Sequence, residues 1–428
     1  MPSENRETAL RFDLVRRTLA RELEPLALPG DDRDLAQAGL VDSMTRVNIL
    51  LALEEAAGVP GFAAEWPDER PFSVQELAAR LLEARDKPAS ATAAEVMAAD
   101  ERKGFEVSIQ GWAVSAGSAV VPAEEAGREC GLPPGFLRER TGIESVRRAS
   151  SDENEIVLAA RAAEGALEMA SLSPADIDLL VAVSTTHFGF PSFAASLHAD
   201  LLLREAAGAL DIGGACCGAL YALAAAGSLL SSGNARVALV VASEVNSRRL
   251  ATMESPPEFR ALFGDAACAW ALEGSPAGQG VPGRRLLKFA WGVSSTFASA
   301  LRVSWSQGGL PQVEFRGEQL ASAAIALLER VIDRLTALAG IGLADVDRFA
   351  LHEPNPRVVA MFAQRAGIPP EKTPQTSRTW GNLGSVTCGA NLCKALTETS
   401  GNRDGMRPPA ILAAAVGPGL LWGGAYVG

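Results

Sequence analysis

Two kinds of hydrophobic pattern run along this chain, and one gives way to the other near residue 100. In residues 1–86 apolar positions recur every three or four residues. Phe12, Val15, Leu19 and Leu23 mark one face of a first helix in an otherwise charged segment, the periodicity of an amphipathic helix. An aspartate-rich loop follows Gly30. A second helix is predicted from Ser43, with Met44, Val47, Leu50 and Leu51 on its apolar face and Gly58 and Pro60 at its end. A last helix opens at Ser73, where Glu76 completes a capping box and Phe72 and Leu77 have the spacing of a hydrophobic staple. Residues 87–103 offer little to bury and read as a linker.

From Gly104 the pattern changes to short continuous apolar runs between helical stretches. The runs 177–183, 236–242, 348–352 and 410–416 have the character of strands buried on both faces, and their alternation with helices predicts a layered α/β architecture over 104–428. This region is also duplicated. Pro174-Ala-Asp-Ile-Asp before one strand is echoed by Leu343-Ala-Asp-Val-Asp before another, Cys217-Gly-Ala by Cys388-Gly-Ala, and the strand at Val237 by the one at Ala410, with offsets of 169, 171 and 173 residues. Three echoes at nearly one offset indicate two copies of a half-domain, and facing halves bring loops from both to a shared centre.

Composition narrows the function classes. The chain has 428 residues, 48% of them hydrophobic, with a formal net charge of −12. That charge argues against nucleic acid and against an anionic membrane surface as partners. No run has the length of a membrane span and Met1 to Leu10 is not signal-like, so a cytoplasmic protein is expected. The six cysteines form no C-x-x-C pair and the histidines number three. Free thiols are expected, and a metal cluster is not.

Four residues carry candidate chemistry. Ser43, in Gly39-Leu-Val-Asp-Ser-Met44, opens a helix, where the helix N-terminus favours an attached phosphate; the plainer reading is that Asp42 or Ser43 only caps that helix. Cys216 follows the small-residue turn of Leu210-Asp-Ile-Gly-Gly-Ala-Cys-Cys-Gly218 and precedes an apolar helix, a position expected to lower its pKa and favour the thiolate. His352 ends a strand in Leu351-His-Glu-Pro-Asn-Pro-Arg357, and Asn382 lies in Trp380-Gly-Asn-Leu-Gly384. Core packing is the expectation for Cys130, Cys268, Cys388 and Cys393, and a structural role for His187 and His198.

Residues 1–86 resemble acyl and peptidyl carrier proteins, small all-α four-helix domains. The resemblance implies 4′-phosphopantetheine on Ser43, attached by a phosphopantetheinyl transferase. From Gly104 to the C-terminus the chain resembles the β-ketoacyl-acyl carrier protein synthase III family of the duplicated, five-layered αβαβα thiolase fold. The segments that carry this are those around Cys216, His352 and Asn382, with Arg140-Thr-Gly-Ile143, Phe190-Pro-Ser192, Leu262-Phe-Gly-Asp265 and Val416-Gly-Pro-Gly-Leu-Leu-Trp-Gly423. The resemblance implies that Cys216 is the acylated nucleophile and that His352 and Asn382 activate the second substrate. It places Arg140 and Thr141 at the CoA end, Phe190 beside the acyl pocket near a homodimer interface, and Asn355 and Arg357 at the pantetheine entrance and carrier-docking surface. The partners it implies are acyl-CoA or acyl-carrier thioesters and a malonyl thioester.

The chemistry fits a cysteine, a histidine and an asparagine. A thiolate stores the acyl group as a thioester, and two neutral donors stabilise the enolate left when a malonyl thioester loses carbon dioxide. The expected function is decarboxylative Claisen condensation in fatty-acid-like or polyketide biosynthesis, with the tethered carrier serving its own condensing domain. Acyl transfer to a hydroxyl or amine, and a non-catalytic ketosynthase subunit, are the alternatives. One departure concerns Gly417-Pro418-Gly419, which resembles the ending of type III polyketide synthases: proline has no N–H to offer an acyl oxyanion.

Overall fold

The computed structural model describes residues 2–23, 30–59, 62–63, 66, 70–85, 105–276, 283–294, 300–305, 311–401 and 408–428. The chain packs as two compact units, one of residues 1–100, 299–301 and 316–326 and the other of the remainder. The linker expected at 87–103 lies outside the described residues.

Among the described residues, the N-terminal segment of the first unit contains the helices α1 (Pro2–Glu22), α2 (Ser43–Ala57) and α3 (Val74–Arg85). Their inward faces follow the periodicity: Val15, Leu19, Val47, Leu50, Leu51, Leu77 and Leu81 are buried. Asp42 caps α2 by accepting from Thr45 N at 2.8 Å, and Gly58 ends it at φ 63°, a left-handed conformation that glycine adopts without penalty. At α3 half of the capping box forms: Ser73 Oγ accepts from Glu76 N at 3.2 Å, while the Glu76 carboxylate pairs with Arg70 at 3.1 Å. The staple residues Phe72 and Leu77 are both buried. The side chains of Ser43 and Met44, and Pro60, lie outside the described residues.

The second part of the chain runs β1 (Phe105–Ala116), β2 (Ala119–Pro122), α4 (Ala123–Glu129), α5 (Phe136–Thr141), β3 (Ser145–Arg148), α6 (Glu155–Ala170), β4 (Leu179–Val183), α7 (Phe193–Asp200), β5 (Gly208–Asp211), α8 (Gly218–Ser231), β6 (Val237–Val245), α9 (Asn246–Ala251), α10 (Pro257–Arg260), β7 (Asp265–Pro276) and β8 (Arg284–Val293). It continues with β9 (Leu301–Trp305), β10 (Pro311–Phe315), α11 (Gly317–Ala339), β11 (Arg348–Leu351), α12 (Pro356–Arg365), α13 (Ser377–Trp380), α14 (Thr387–Thr399), β12 (Ile411–Gly417) and β13 (Leu421–Val427). All four apolar runs singled out in the sequence are strands.

The main sheet has the order β11-β12-β13-β8-β1-β7-β6-β4-β5, and its symmetry is the duplication made visible. Read outward from β1 and β8, the series β1-β7-β6-β4 matches β8-β13-β12-β11. In each half the outer pair is parallel (β4 with β6, β11 with β12) and the next antiparallel (β6 with β7, β12 with β13). The echoed Pro174–Asp176 and Leu343–Asp345 are both 3-10 turns that introduce the corresponding strands.

Helices α8 and α14 fill the centre, in one core cluster with strands from both halves, while α6 and α7 pack on the far face of the first half. In the second half, Val331 and Leu335 of α11 lie within van der Waals reach of Gly424 on β13. These are the five layers expected. A helix packed in the core between the two halves of the sheet has little solvent face, and α8 is buried from Gly218 to Leu230 at nine of its positions, as an all-apolar helix must be. Small residues make the close approach possible. A Cβ on Gly218 would meet Val183 at 2.6 Å, and one on Gly389, its echo in α14, would meet Trp270 at 2.5 Å. Among the described residues no helix is long and apolar enough to cross a membrane.

Candidate active site

The turn after β5 delivers Cys216. One 3-10 turn, Ala215–Cys217, links the strand to α8, and Ala215 takes φ 44°, an uncommon conformation for a residue with a Cβ. The two adjacent sulfurs then part company. Cys217 is fully buried, with Sγ 3.4 Å from Ala415 O and 3.3 Å from Leu421 O, so its thiol points back between β12 and β13. Cys216 is only half-buried, which makes it the reachable sulfur of the pair. Gly417 presses on it from the other half, where a Cβ would lie 3.0 Å from Cys216 Cβ and 3.2 Å from its N. The next residue is Pro418, so the N–H that this loop offers beyond proline belongs to Gly419 at φ 73°.

The expected thiolate is not the resting form. Burial, with the Glu244 carboxylate adding to it, pushes Cys216 up to about 12. Desolvation penalises the charged sulfur, and the backbone hydrogen bond at Cys216, which lowers it, does not offset that penalty. Cys216 rests as a thiol.

His352 follows β11 directly, its N–H donating to Ala414 O at 2.8 Å, three residues before Gly417 on the neighbouring strand. It is 5% exposed, and burial lowers it to about 4, so the imidazole is neutral at pH 7. Its Nδ1 is buried without a partner among the described residues, and no protein group there pins the tautomer. Asn382 is also buried. Its Oδ1 accepts from Gly384 N at 3.0 Å and from Thr387 Oγ1 at 3.3 Å, which commits the oxygen and orients the amide NH2 as the donor on offer. The turn after Asn382 reaches the nucleophile helix, with Ser385 Cβ 3.5 Å from where a Cβ on Gly218 would be. The segments that carry these residues therefore converge: Gly417 and Ser385, from the half that holds His352 and Asn382, both lie against the Cys216–Gly218 turn of the other half.

The remaining expected site residues lie further out. Arg140 is exposed at the end of α5, and Arg357 Nη1 donates to Glu139 O at 3.2 Å, so the two arginines share one rim. Asn355 caps α12 by accepting from Val358 N at 3.1 Å. Thr141 is buried, and its hydroxyl donates to Leu137 O and accepts from Ile143 N; its side chain shapes the α5 turn rather than facing the rim. Phe190 is fully exposed.

This geometry has relatives. Family models for 3-oxoacyl-[acyl-carrier-protein (ACP)] synthase III and for its C-terminal part match residues 210–295 and 336–428, which contain Cys216 and, in turn, His352 and Asn382. A model of FAE1/type III polyketide synthase-like proteins matches residues 118–252. A β-ketoacyl-[acyl-carrier-protein] synthase III of Granulibacter bethesdensis is 32% identical over 316 residues, 72% of this chain and 95% of that protein. The chain belongs to the β-ketoacyl-acyl carrier protein synthase III family. Among solved structures, the synthase III of Aquifex aeolicus superposes with a TM-score of 0.66 at 27% identity, over 75% of this chain and 99% of its own. The priming β-ketosynthase of the R1128 polyketide pathway gives 0.66 at 26% identity, over 76% and 96%. The chain is thus an enzyme, a transferase of the condensing type.

In this family member the sequence reading missed the carboxylates that hold the site together. Leu262-Phe-Gly-Asp265 was singled out without a task. Its backbone clasps Asn382, whose N–H donates to Leu262 O at 2.8 Å while Gly264 N donates to Asn382 O at 2.9 Å. Asp265 anchors that clasp by accepting from Ala149 N and Ser247 N, each at 2.8 Å. Glu244 and Glu353 are both fully buried; Glu353 stands in the His352 segment without a task, and Glu244 lies outside the segments singled out. Burial raises both, Glu244 to about 7. The available signal was a lone charge near the end of the apolar run Val237–Val245, since an unpaired polar group is rarely left in a buried strand.

Proposed function

We propose that the chain forms β-ketoacyl thioesters by decarboxylative condensation of an acyl group on Cys216 with a malonyl-type thioester. The observation that carries this reading is that a buried, neutral His352 and an Asn382 whose amide oxygen is already committed stand on segments that converge on the half-buried Cys216. As Sγ attacks the acyl thioester, its proton is carried through solvent to the departing thiolate, which leaves as a thiol, and acyl-Cys216 remains. The malonyl thioester then loses carbon dioxide, and the electron pair of the broken C–C bond becomes an enolate. Its oxygen is stabilised by N–H groups of His352 and Asn382, preorganised donors that add no fixed charge to a buried site. The enolate carbon attacks the acyl carbonyl, and Sγ leaves. Simple acyl transfer gives no task to a second oriented donor, so condensation is favoured over it.

Two further parts belong to this reading. Ser43 is the attachment point for 4′-phosphopantetheine, which supplies a thiol on a long arm when attached. In support, capping of α2 is already met by Asp42, so a capping role does not explain a serine at position 43, and the residue stands in the first turn of a 15-residue helix whose N-terminus favours phosphate. The rim of Arg140 and Arg357 is the entrance for the arm. A second copy of the chain covers β5, the edge strand of the sheet, whose four residues are all exposed, together with Phe190.

The test uses the full chain, treated with a phosphopantetheinyl transferase and CoA and then given acyl and malonyl thioesters. Mass by peptide should show the adduct on Ser43 and none in Ser43→Ala. His352→Ala and Asn382→Ala should form acyl-Cys216 yet lose carbon dioxide release by about 10²- to 10³-fold. A wild-type chain that acylates an alcohol or amine and never releases carbon dioxide overturns the condensation reading.

A further inference from the structure

Asn382 is useful only if its turn stays at a fixed distance from Cys216, yet the two residues belong to different halves of the fold. A buried carboxylate bridges the joint. Both Glu244 oxygens lie 3.0 Å from Thr185 N, and Oε1 also accepts from Thr185 Oγ1 at 2.9 Å and from Ser385 Oγ at 2.5 Å. Thr185 continues from β4 in the first half. Ser385 belongs to the turn just after Asn382 in the second. Both segments bear on the start of the nucleophile helix, because Gly218 lies against Val183 on one side and Ser385 on the other. Gly384, at φ 60°, brings that turn close enough that a Cβ on it would stand 3.5 Å from Glu244 Cγ.

A carboxylate at the other end holds the same turn. Glu353 Oε2 accepts from Thr376 N at 3.1 Å and Ser377 N at 3.0 Å, six and five residues before Asn382. The stretch that presents Asn382 is thus pinned at its start by Glu353 and past its end by Glu244, and of these two anchors only Glu244 also grips the Cys216 half.

We propose that Glu244 is a positioning residue: through Ser385 and Thr185 it sets the spacing between the Asn382 turn and the Cys216 helix. The inference rests on the condensation reading, since it assigns Glu244 to the step in which Asn382 works. The role needs acceptor oxygens at fixed points and no proton transfer. Glutamine can place its carbonyl oxygen where Oε1 stands, so it keeps the links to Ser385 Oγ and Thr185 Oγ1; alanine keeps none.

The experiment compares E244A, E244Q and S385A with wild type in two assays, carbon dioxide release from a malonyl thioester by the acylated enzyme and iodoacetamide alkylation of Cys216. Misplacement of a reacting group by about an ångström costs on the order of 10²-fold, so E244A should lose about that much carbon dioxide release while alkylation changes less than about threefold. S385A, which removes one link and should not disturb folding, is expected to lose about tenfold. E244Q should recover at least about a tenth of the wild-type rate. The inference is overturned if E244Q is as inactive as E244A, which would make the charge itself the agent. It is equally overturned if S385A releases carbon dioxide at the wild-type rate, or if alkylation and condensation fall together. A wild-type chain that alkylates at Cys216 but releases no carbon dioxide instead sinks the condensation reading, and the two failures are told apart by that control.

Discussion

At Cys216 two local influences oppose each other, and their sizes decide the protonation state. The helix N-terminus favours a thiolate within its first turn, whereas removal of the sulfur from water disfavours it. Burial, with Glu244 adding to it, pushes Cys216 up to about 12. The consequence is measurable. Thiolate content below the pKa rises about tenfold per pH unit, so the rate of iodoacetamide alkylation at Cys216 should climb from pH 7 to 10 without levelling. A plateau below pH 8 would show that the dipole prevails. The same assay separates the neighbours: Cys217→Ala should still be alkylated at position 216, because Cys217 Sγ is turned toward Ala415 O and Leu421 O, while Cys216→Ala should lose the reactive site.

The Asn382 turn is an element built by packing, since its conformation is written largely in another segment. Gly264 shows how tight the fit is: a Cβ there would lie 1.9 Å from Trp380 O and 3.1 Å from Arg147 O. Both obstacles are backbone, so neither can swing aside, and Gly264→Ala must push the turn that carries Asn382. Carbon dioxide release should fall about 10²-fold, with alkylation of Cys216 changed far less, because the nucleophile is held by α8 and not by this clasp. Equal losses in both assays would mean that the substitution disrupts the whole core. The sequence made the glycine conspicuous inside Leu262-Phe-Gly-Asp265, but its reason, the carbonyl of a residue 116 positions later, is a fact of packing.

For the whole molecule, two buried groups pull the pH dependence of stability in opposite directions. His352 is lowered from 6.5 to about 4 by burial, so between those values the unfolded chain binds a proton that the native state refuses, and stability falls on acidification. Glu244 is raised from 4.5 to about 7, also by burial. There the native state keeps a proton that the unfolded chain releases, and stability falls as pH rises through that window. Each shift corresponds to about 3 kcal/mol, and between pH 4.5 and 6.5 the two largely offset each other. Removing one exposes the other. Relative to wild type, E244Q should gain Tm as pH rises from 4.5 to 7, and His352→Asn should gain Tm as pH falls from 6.5 to 4. Differences that stay flat with pH would show that neither group has the ionisation assigned to it.

The elements of both units, the duplication and the segments that carry Cys216, His352 and Asn382 could be read from the chain by itself, because each leaves a local mark. Helical periodicity marks α1 to α3, unbroken apolar runs mark the covered strands, repeated words at one offset mark the halves, and small-residue turns mark the candidate positions. Tertiary structure decided which of two adjacent cysteines is reachable, that burial holds Cys216 as a thiol and His352 as a neutral imidazole, and that Thr141 turns inward. It also supplied the tasks of Asp265, Glu244 and Glu353. These properties depend on burial and on hydrogen bonds between residues more than a hundred positions apart, such as Ser385 and Glu244. Desolvation sums over neighbours that only the folded chain brings together, so no local pattern carries it.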